Sequence, residues 1–75
     1  MTNKQKKFAR FYALSGNGKQ SAIKAGYIER SANSIGSENL TKPDVSEAVA
    51  KYRRRNEQKL DELEDLVIAK THQMI

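Results

Sequence analysis

Arg30, Asn33, Ser34 and Ser37 fall within one eight-residue stretch. Arg and Asn are the side chains best suited to guanine and adenine edges in a major groove, and Ser hydroxyls reach either bases or phosphates. The outer side of a helix carrying this set is small and polar, with few bulky groups to block entry into that groove. Lys4, Lys6, Lys7, Lys19, Lys24 and Lys42 flank the stretch in sequence and suit sequence-independent contacts to phosphates. Each of these lysines suits a merely solvated helix face equally well. Glu29 and Glu38 repel phosphates and belong at the rim of such a surface or beside neighbouring cations.

The residue types needed for catalysis are scarce. His72 stands alone and there is no cysteine, so neither a shared metal site nor a thiolate nucleophile can be assembled. Asp61, Glu62, Glu64 and Asp65 lie on a solvated helix with no cleft around them. Gly16-Asn17-Gly18-Lys19 is too short for a phosphate-binding loop. The expectation is a protein that is not an enzyme and carries no metal and no cofactor.

Charge divides the chain. Residues 1–55 hold twelve Lys or Arg against four Asp or Glu, a balance of +8; residues 56–75 hold two against five, a balance of −3. A basic body suits a polyanion, and an acidic tail needs a different role. The bland alternative is a solvated surface with chance asymmetry. Seventy-five residues suffice for one small domain with a helical appendage. No apolar run approaches the ~20 residues that span a bilayer, and the N-terminus lacks the apolar middle of a signal peptide. A soluble, cytoplasmic chain without a membrane partner is therefore expected.

The elements that must position these residues are all helical. Thr2 with Gln5 three residues later forms a capping-box pattern, and Phe8, Phe11, Tyr12 and Leu14 then recur at helical spacing as an aromatic stripe. Ser15 to Gly18 break the pattern. A short helix from about Asn17, its N-cap, to Ala25 carries Ala22, Ile23 and Ala25, and Gly26 ends it. A third helix begins near Ser31 as N-cap, with Ala32, Ile35 and Leu40 inward. Gly36 inside it costs roughly 1 kcal/mol relative to Ala, which marks close packing or a partner backbone nearby. Pro43 and Asp44 suit the first turn of a fourth helix.

From there Val45, Val49, Tyr52, Asn56, Leu60, Leu63, Val67, Lys70 and Met74 follow in steps of three and four, coiled-coil-like with a stutter at Asn56–Leu60. One long helix or a kink near Arg55 and Asn56 both satisfy the pattern. The fold expected is all-α: a compact helix-turn-helix bundle over 1–55, then a long amphipathic, coiled-coil-like helix over 56–75 that starts an oligomerisation region. Lys51-Tyr52-Arg53-Arg54-Arg55 forms a second basic cluster, suited to tracking DNA backbone or to flanking the acidic tail. The apolar side of the tail is too wide to stay solvated, so it packs on its own domain, on a copy of itself or on another protein. Self-association through Leu60, Leu63 and Val67 is the preferred expectation. Gln73-Met74-Ile75 carries no helix-stop signal, so the native protein is expected to continue.

The spacing Ala22-x3-Gly26-x5-Ala32-x2-Ile35 is what a helix-turn-helix requires: a small residue where helices cross, Gly at the turn, apolar residues facing back. Many helical hairpins without DNA share it, so the spacing alone is moderately specific.

The run Asn17-Gly18-Lys19-Gln20-Ser21-Ala22-Ile23-Lys24-Ala25-Gly26-Tyr27, followed by Ser31-Ala32, Gly36-Ser37, Leu40 and Pro43-x-Val45, resembles the N-terminal region of phage terminase small subunits. The preceding Lys4 to Tyr12 segment is similar to the opening helix of that family. The resemblance covers roughly residues 3–52 and is most specific from Gln20 to Tyr27. It implies a protein in an infected bacterial host cell that recognises a packaging site on double-stranded viral DNA. It further implies ring assembly and recruitment of a terminase large subunit holding the ATPase and nuclease. Arg30, Asn33, Ser34 and Ser37 would then belong to the recognition helix. Ile28-Glu29-Arg30 departs from the small-polar turn of the family, and the chain is short for a full ring-forming region. Two alternatives stand beside this function: a helix-turn-helix transcription regulator, which docks by the same chemistry, and a helical protein-interaction module.

Overall fold

The computed structural model describes the backbone of residues 1–73 and the side chains through Glu64. Four α-helices follow in order: α1 (Asn3–Ser15), α2 (Gly18–Lys24), α3 (Ala32–Thr41) and α4 (Pro43–Gln73), with a 3-10 turn, Glu29–Ser31, leading into α3. The all-α expectation holds, and α4 runs without interruption through Arg55 and Asn56. Val67 and Lys70 lie within α4, but their side chains, and all of Met74 and Ile75, are outside the described residues.

Local chemistry accounts for the boundaries. Thr2 Oγ1 accepts the Gln5 N–H at 3.1 Å while the Thr2 N–H donates to Gln5 Oε1 at 2.9 Å, completing the capping box of α1. Asn17 Oδ1 accepts the Gln20 N–H at 3.0 Å and caps α2. Helix α2 ends in a Schellman motif: the Tyr27 N–H donates to Ala22 O and the Gly26 N–H to Ile23 O, both at 3.0 Å. Gly26 has a φ of 102°, a backbone that an L side chain resists, so glycine is required there. The Asp44 carboxylate accepts the Val45 N–H at 2.9 Å in the first turn of α4 and lies 3.9 Å from the N-terminal ammonium.

Ser31 departs from its expected role. It occupies the N-cap position of α3, but its backbone is helical (φ −104°, ψ 0°) and its side chain makes no capping bond. The 3-10 turn already feeds the helix from Ile28 onward, so the first N–H groups of α3 are met by backbone rather than by a serine hydroxyl.

The core is Phe8 and Ala9 of α1, Ala22 and Ala25 at α2, Ala32 of α3, and Val45 and Val49 of α4. Small residues dominate, which lets the helix backbones approach closely around one large side chain, Phe8. Tyr12, Ile23, Tyr27, Leu40 and Tyr52 close the edges half-buried. Burying Phe8 fully contributes roughly 1.5–3 kcal/mol by itself. The aromatic stripe of α1 is narrower than its spacing suggested. Phe11 is half-buried under Lys24, and Leu14 remains 72% exposed, because α1 is covered by α2 on one side and α4 on the other but not across its outer face.

Candidate nucleic-acid interface

Helix α3 is placed by a glycine-on-glycine crossing. A Cβ built on Gly36 would stand 2.7 Å from Gly18 O and 2.9 Å from Gly18 C, so the backbones of α2 and α3 touch where any side chain would force them apart. Packing against α2 thus explains the cost of Gly36 in a helix interior. That crossing turns the Ala32, Gly36 and Asn39 edge of α3 inward, all three buried. The opposite edge exposes Asn33, Ser34 and Ser37. Arg30, also exposed, sits one turn earlier in the 3-10 segment, at the N-terminal entrance of α3 rather than on it.

Ile35 behaves differently from its expected inward role. It is half-buried and stands apart from the core cluster, lining instead a groove of about 460 Å³ with Lys4, Tyr27, Glu38, Asn39 and Lys42. Asn39, which the apolar pattern does not single out, takes an inward place of α3 at 2% exposure. Its Nδ2 finds no acceptor among the described residues. Leaving a buried amide donor unmet costs about 1–3 kcal/mol; the signal for the inward place of Asn39 was its spacing, seven residues after Ala32 and three after Gly36, and its polar type hid it.

The six candidate lysines do not form one patch. Lys4 and Lys42 meet on the groove beside α3, with the Lys4 Nζ 5.5 Å from the Tyr27 ring centroid. Lys7 and Lys24 meet across α1 and α2 with Arg10 and Phe11, the Lys24 Nζ lying 5.9 Å from the Phe11 ring. Lys19 is exposed on α2. Lys6 points elsewhere, into a groove between α1 and α4 with Lys51 and Arg55. Cation–π contacts of this exposed kind contribute about 0.5–1 kcal/mol and hold the ammonium groups near the surface. Among the described residues the sole ion pair is the one between the Met1 ammonium and Asp44. The lysine and arginine heads there are consequently available to an external anion.

Arg10 and Lys59 are cations that residue type and sequence order did not bring into the candidate set. Arg10 lines a groove with Tyr52, Arg55, Asn56 and Lys59. The signal was present as four-residue spacing, Lys6 to Arg10 and Lys51 to Arg55 to Lys59, but it gains meaning only when the two helices are seen side by side. Among the described residues no group of three His, Cys, Asp or Glu lies close enough to hold a metal, and no helix is long and apolar enough to cross a membrane.

At the distal end, Leu60 and Leu63 are 60% and 58% exposed. Leu60 shares a shallow groove with Ala13, Leu14, Arg53 and Asn56. Val67, the third residue expected on this side, has its side chain outside the described residues.

A helix-turn-helix with a slim polar edge and unpaired flanking cations is common to several families, so comparison with known proteins bears on which one this is. The terminase small subunit family model matches residues 1–74. The terminase small subunit of Staphylococcus phage 80alpha is 46% identical over 50 residues, which cover 65% of this chain and 34% of that relative. The aligned segment is thus about a third of the relative's length. No solved structure matches. With the match running through the bundle and along α4, this chain belongs to the terminase small subunit family.

Proposed function

We propose that this chain is the DNA-binding module of a phage terminase small subunit, acting in genome packaging in the infected host cytoplasm. It recognises a packaging site on duplex DNA and supports a large subunit that supplies the ATPase and nuclease chemistry; the chain itself is not catalytic. The observation that carries this reading is the exposed edge of α3. The Gly18–Gly36 crossing pulls α3 tightly onto α2 and leaves Asn33, Ser34 and Ser37 facing outward, with Arg30 at the helix entrance. Helix-turn-helix proteins place the N-terminal residues of the second helix against base edges. Arg30 and Asn33 read bases, Ser34 and Ser37 reach bases or phosphates, and Lys4, Lys7, Lys19, Lys24 and Lys42 contact phosphates, with Lys6 reaching phosphates from the α1–α4 side.

The distal part of α4 serves self-association through Leu60, Leu63 and Val67. Assembly of several copies multiplies modest individual contacts, so weak binding by one chain is compatible with tight binding by the oligomer.

The decisive experiment titrates the chain against a packaging-site fragment and a random duplex at two salt concentrations. Specific binding with steep salt dependence is expected. Arg30→Ala combined with Asn33→Ala should lower the preference for the packaging site at least tenfold while helicity is retained, since a good bidentate base contact is worth about 1–3 kcal/mol. Unchanged discrimination removes both residues from the readout, and absence of binding to any duplex overturns the proposal.

A further inference from the structure

Helices α1 and α4 run side by side in the same direction. The N-terminal ammonium lies against Asp44 at the start of α4, Lys6 shares a groove with Ala48 and Lys51, Arg10 with Arg55 and Lys59, and Leu14 with Leu60. This parallel pairing gathers Lys6, Arg10, Lys51, Arg55 and Lys59 into one stripe along two adjoining grooves. No Asp or Glu lines either groove, and no residue of α2, the 3-10 turn or α3 does. The stripe is therefore a surface separate from the edge of α3. Lys6, which sequence order groups with the helix-turn-helix lysines, belongs to it.

We infer that this α1–α4 stripe is a second DNA-contact surface, one that grips the phosphate backbone without reading sequence. The inference rests on the proposal that α3 docks on duplex DNA, and adds to that a contact made by another face of the same chain. Three features select duplex DNA as the occupant. The α4 cations recur every four residues, a step of about 6 Å, so that Lys51 to Lys59 span about 12 Å. A row of cations of this length, with no carboxylate lining its grooves, presents a line of positive charge to a polyanion, and a duplex offers the densest such line, with one negative charge per about 3.4 Å on each strand. The groove that holds Arg10, Arg55 and Lys59 is walled by Tyr52 and Asn56, both only half-buried, and no aliphatic side chain lines it; Met1 and Ala48 enter only the adjoining groove. The cations of the stripe have no carboxylate partner among the described residues, so binding breaks no ion pair there.

The consequence is a chain that holds DNA on two faces. One face supplies preference through α3; the other adds affinity that is insensitive to sequence and sensitive to salt. In an assembly of several copies, the second face would keep flanking or neighbouring duplex against the protein.

The test compares two charge-matched variants of the 75-residue chain. Arg55→Gln with Lys59→Gln removes two cations from the stripe. Arg53→Gln with Arg54→Gln removes two exposed cations from the same stretch of α4 that line neither stripe groove. Gln, Lys and Arg have similar helix propensities, so both variants should keep the parent's helicity. The readout is the slope of log affinity against log salt for a random duplex and for the packaging-site fragment. The stripe variant should lower the slope by about 1.8, at about 0.9 for each phosphate no longer neutralised, on both duplexes, with the preference between them unchanged. The control variant should change the slope by less than half of that. Equal slopes for the two variants, or a stripe variant indistinguishable from the parent, overturn the second surface while leaving the role of α3 intact. A stripe variant that alters sedimentation of the protein without altering the slope also overturns it, in favour of a second copy's acidic segment as the occupant. Conversely, a stripe effect that persists while Arg30→Ala and Asn33→Ala change nothing overturns the role of α3 and leaves the stripe standing.

Discussion

The two halves of α4 lie on one continuous helix, yet one is part of a folded core and the other is not. Up to Asn56, the inward seam of Val45, Val49 and Tyr52 is covered by α1, with Phe8 and Ala9 against it. Beyond Asn56 the seam continues through Leu60 and Leu63, both more than half exposed, because α1 ends at Ser15 and nothing else in the described residues reaches that far. The same apolar periodicity thus produces burial in one half and an open face in the other. Periodicity specifies which side of a helix is apolar; only a neighbour of sufficient length turns that side into a core.

Breaking the proximal half should have the largest effect. Phe8→Ala empties the centre of a core otherwise made of alanines and valines, at a cost of about 3–5 kcal/mol. For a domain this small that approaches the whole stability. Loss of cooperative thermal unfolding, followed by circular dichroism, is the expected outcome. A variant that still melts cooperatively within a few degrees of the parent would mean that Phe8 does not organise the bundle.

Gly36→Ala should come next. Alanine favours a helix by about 1 kcal/mol, but its Cβ would stand 2.7 Å from the Gly18 carbonyl oxygen, a backbone atom that cannot swing aside. Separating α2 from α3 outweighs the helix gain, for a net loss of roughly 1–2 kcal/mol on the scale of overpacking penalties. Denaturant unfolding measures it, and a stabilised variant would show that the two helices separate at little cost.

The smallest effect on the fold is expected at the distal half. Leu60→Asp with Leu63→Asp should shift the stability of the bundle by no more than about 0.5 kcal/mol, as for ordinary surface substitutions, while weakening self-association in sedimentation experiments. A parent chain that sediments as a monomer removes self-association by this segment. A large loss of bundle stability in the variant would mean that the two halves of α4 are energetically one.

Much of the fold was legible from local chemistry. Thr2 with Gln5, Asn17 with Gln20, and Gly26 each act within a few residues of themselves, so their roles as caps and turn follow from residue type and spacing. Ser31 failed as a side-chain cap because the preceding 3-10 turn, which residue type did not disclose, had already supplied the backbone partners. Ile35 and Leu14 are apolar residues at helical positions that no other helix covers well, and Asn39 is a polar residue in a place that one does.

The sequence by itself determined the all-helical character, the order of the elements, the small polar edge of α3 and the division between a basic body and an acidic tail. These depend on capping, periodicity and charge, all local or additive along the chain. The tertiary structure decided which cations share a surface, where the apolar seam of α4 loses its cover, and why Gly36 must lack a side chain. Each of these is a distance between residues far apart in sequence, set by the parallel pairing of α1 with α4 and the crossing of α2 with α3. Lys6 illustrates the difference: the turn of about 100° per residue already sets it on another side of α1 from Lys4, but only the pairing of α1 with α4 brings Lys51 and Arg55 beside it.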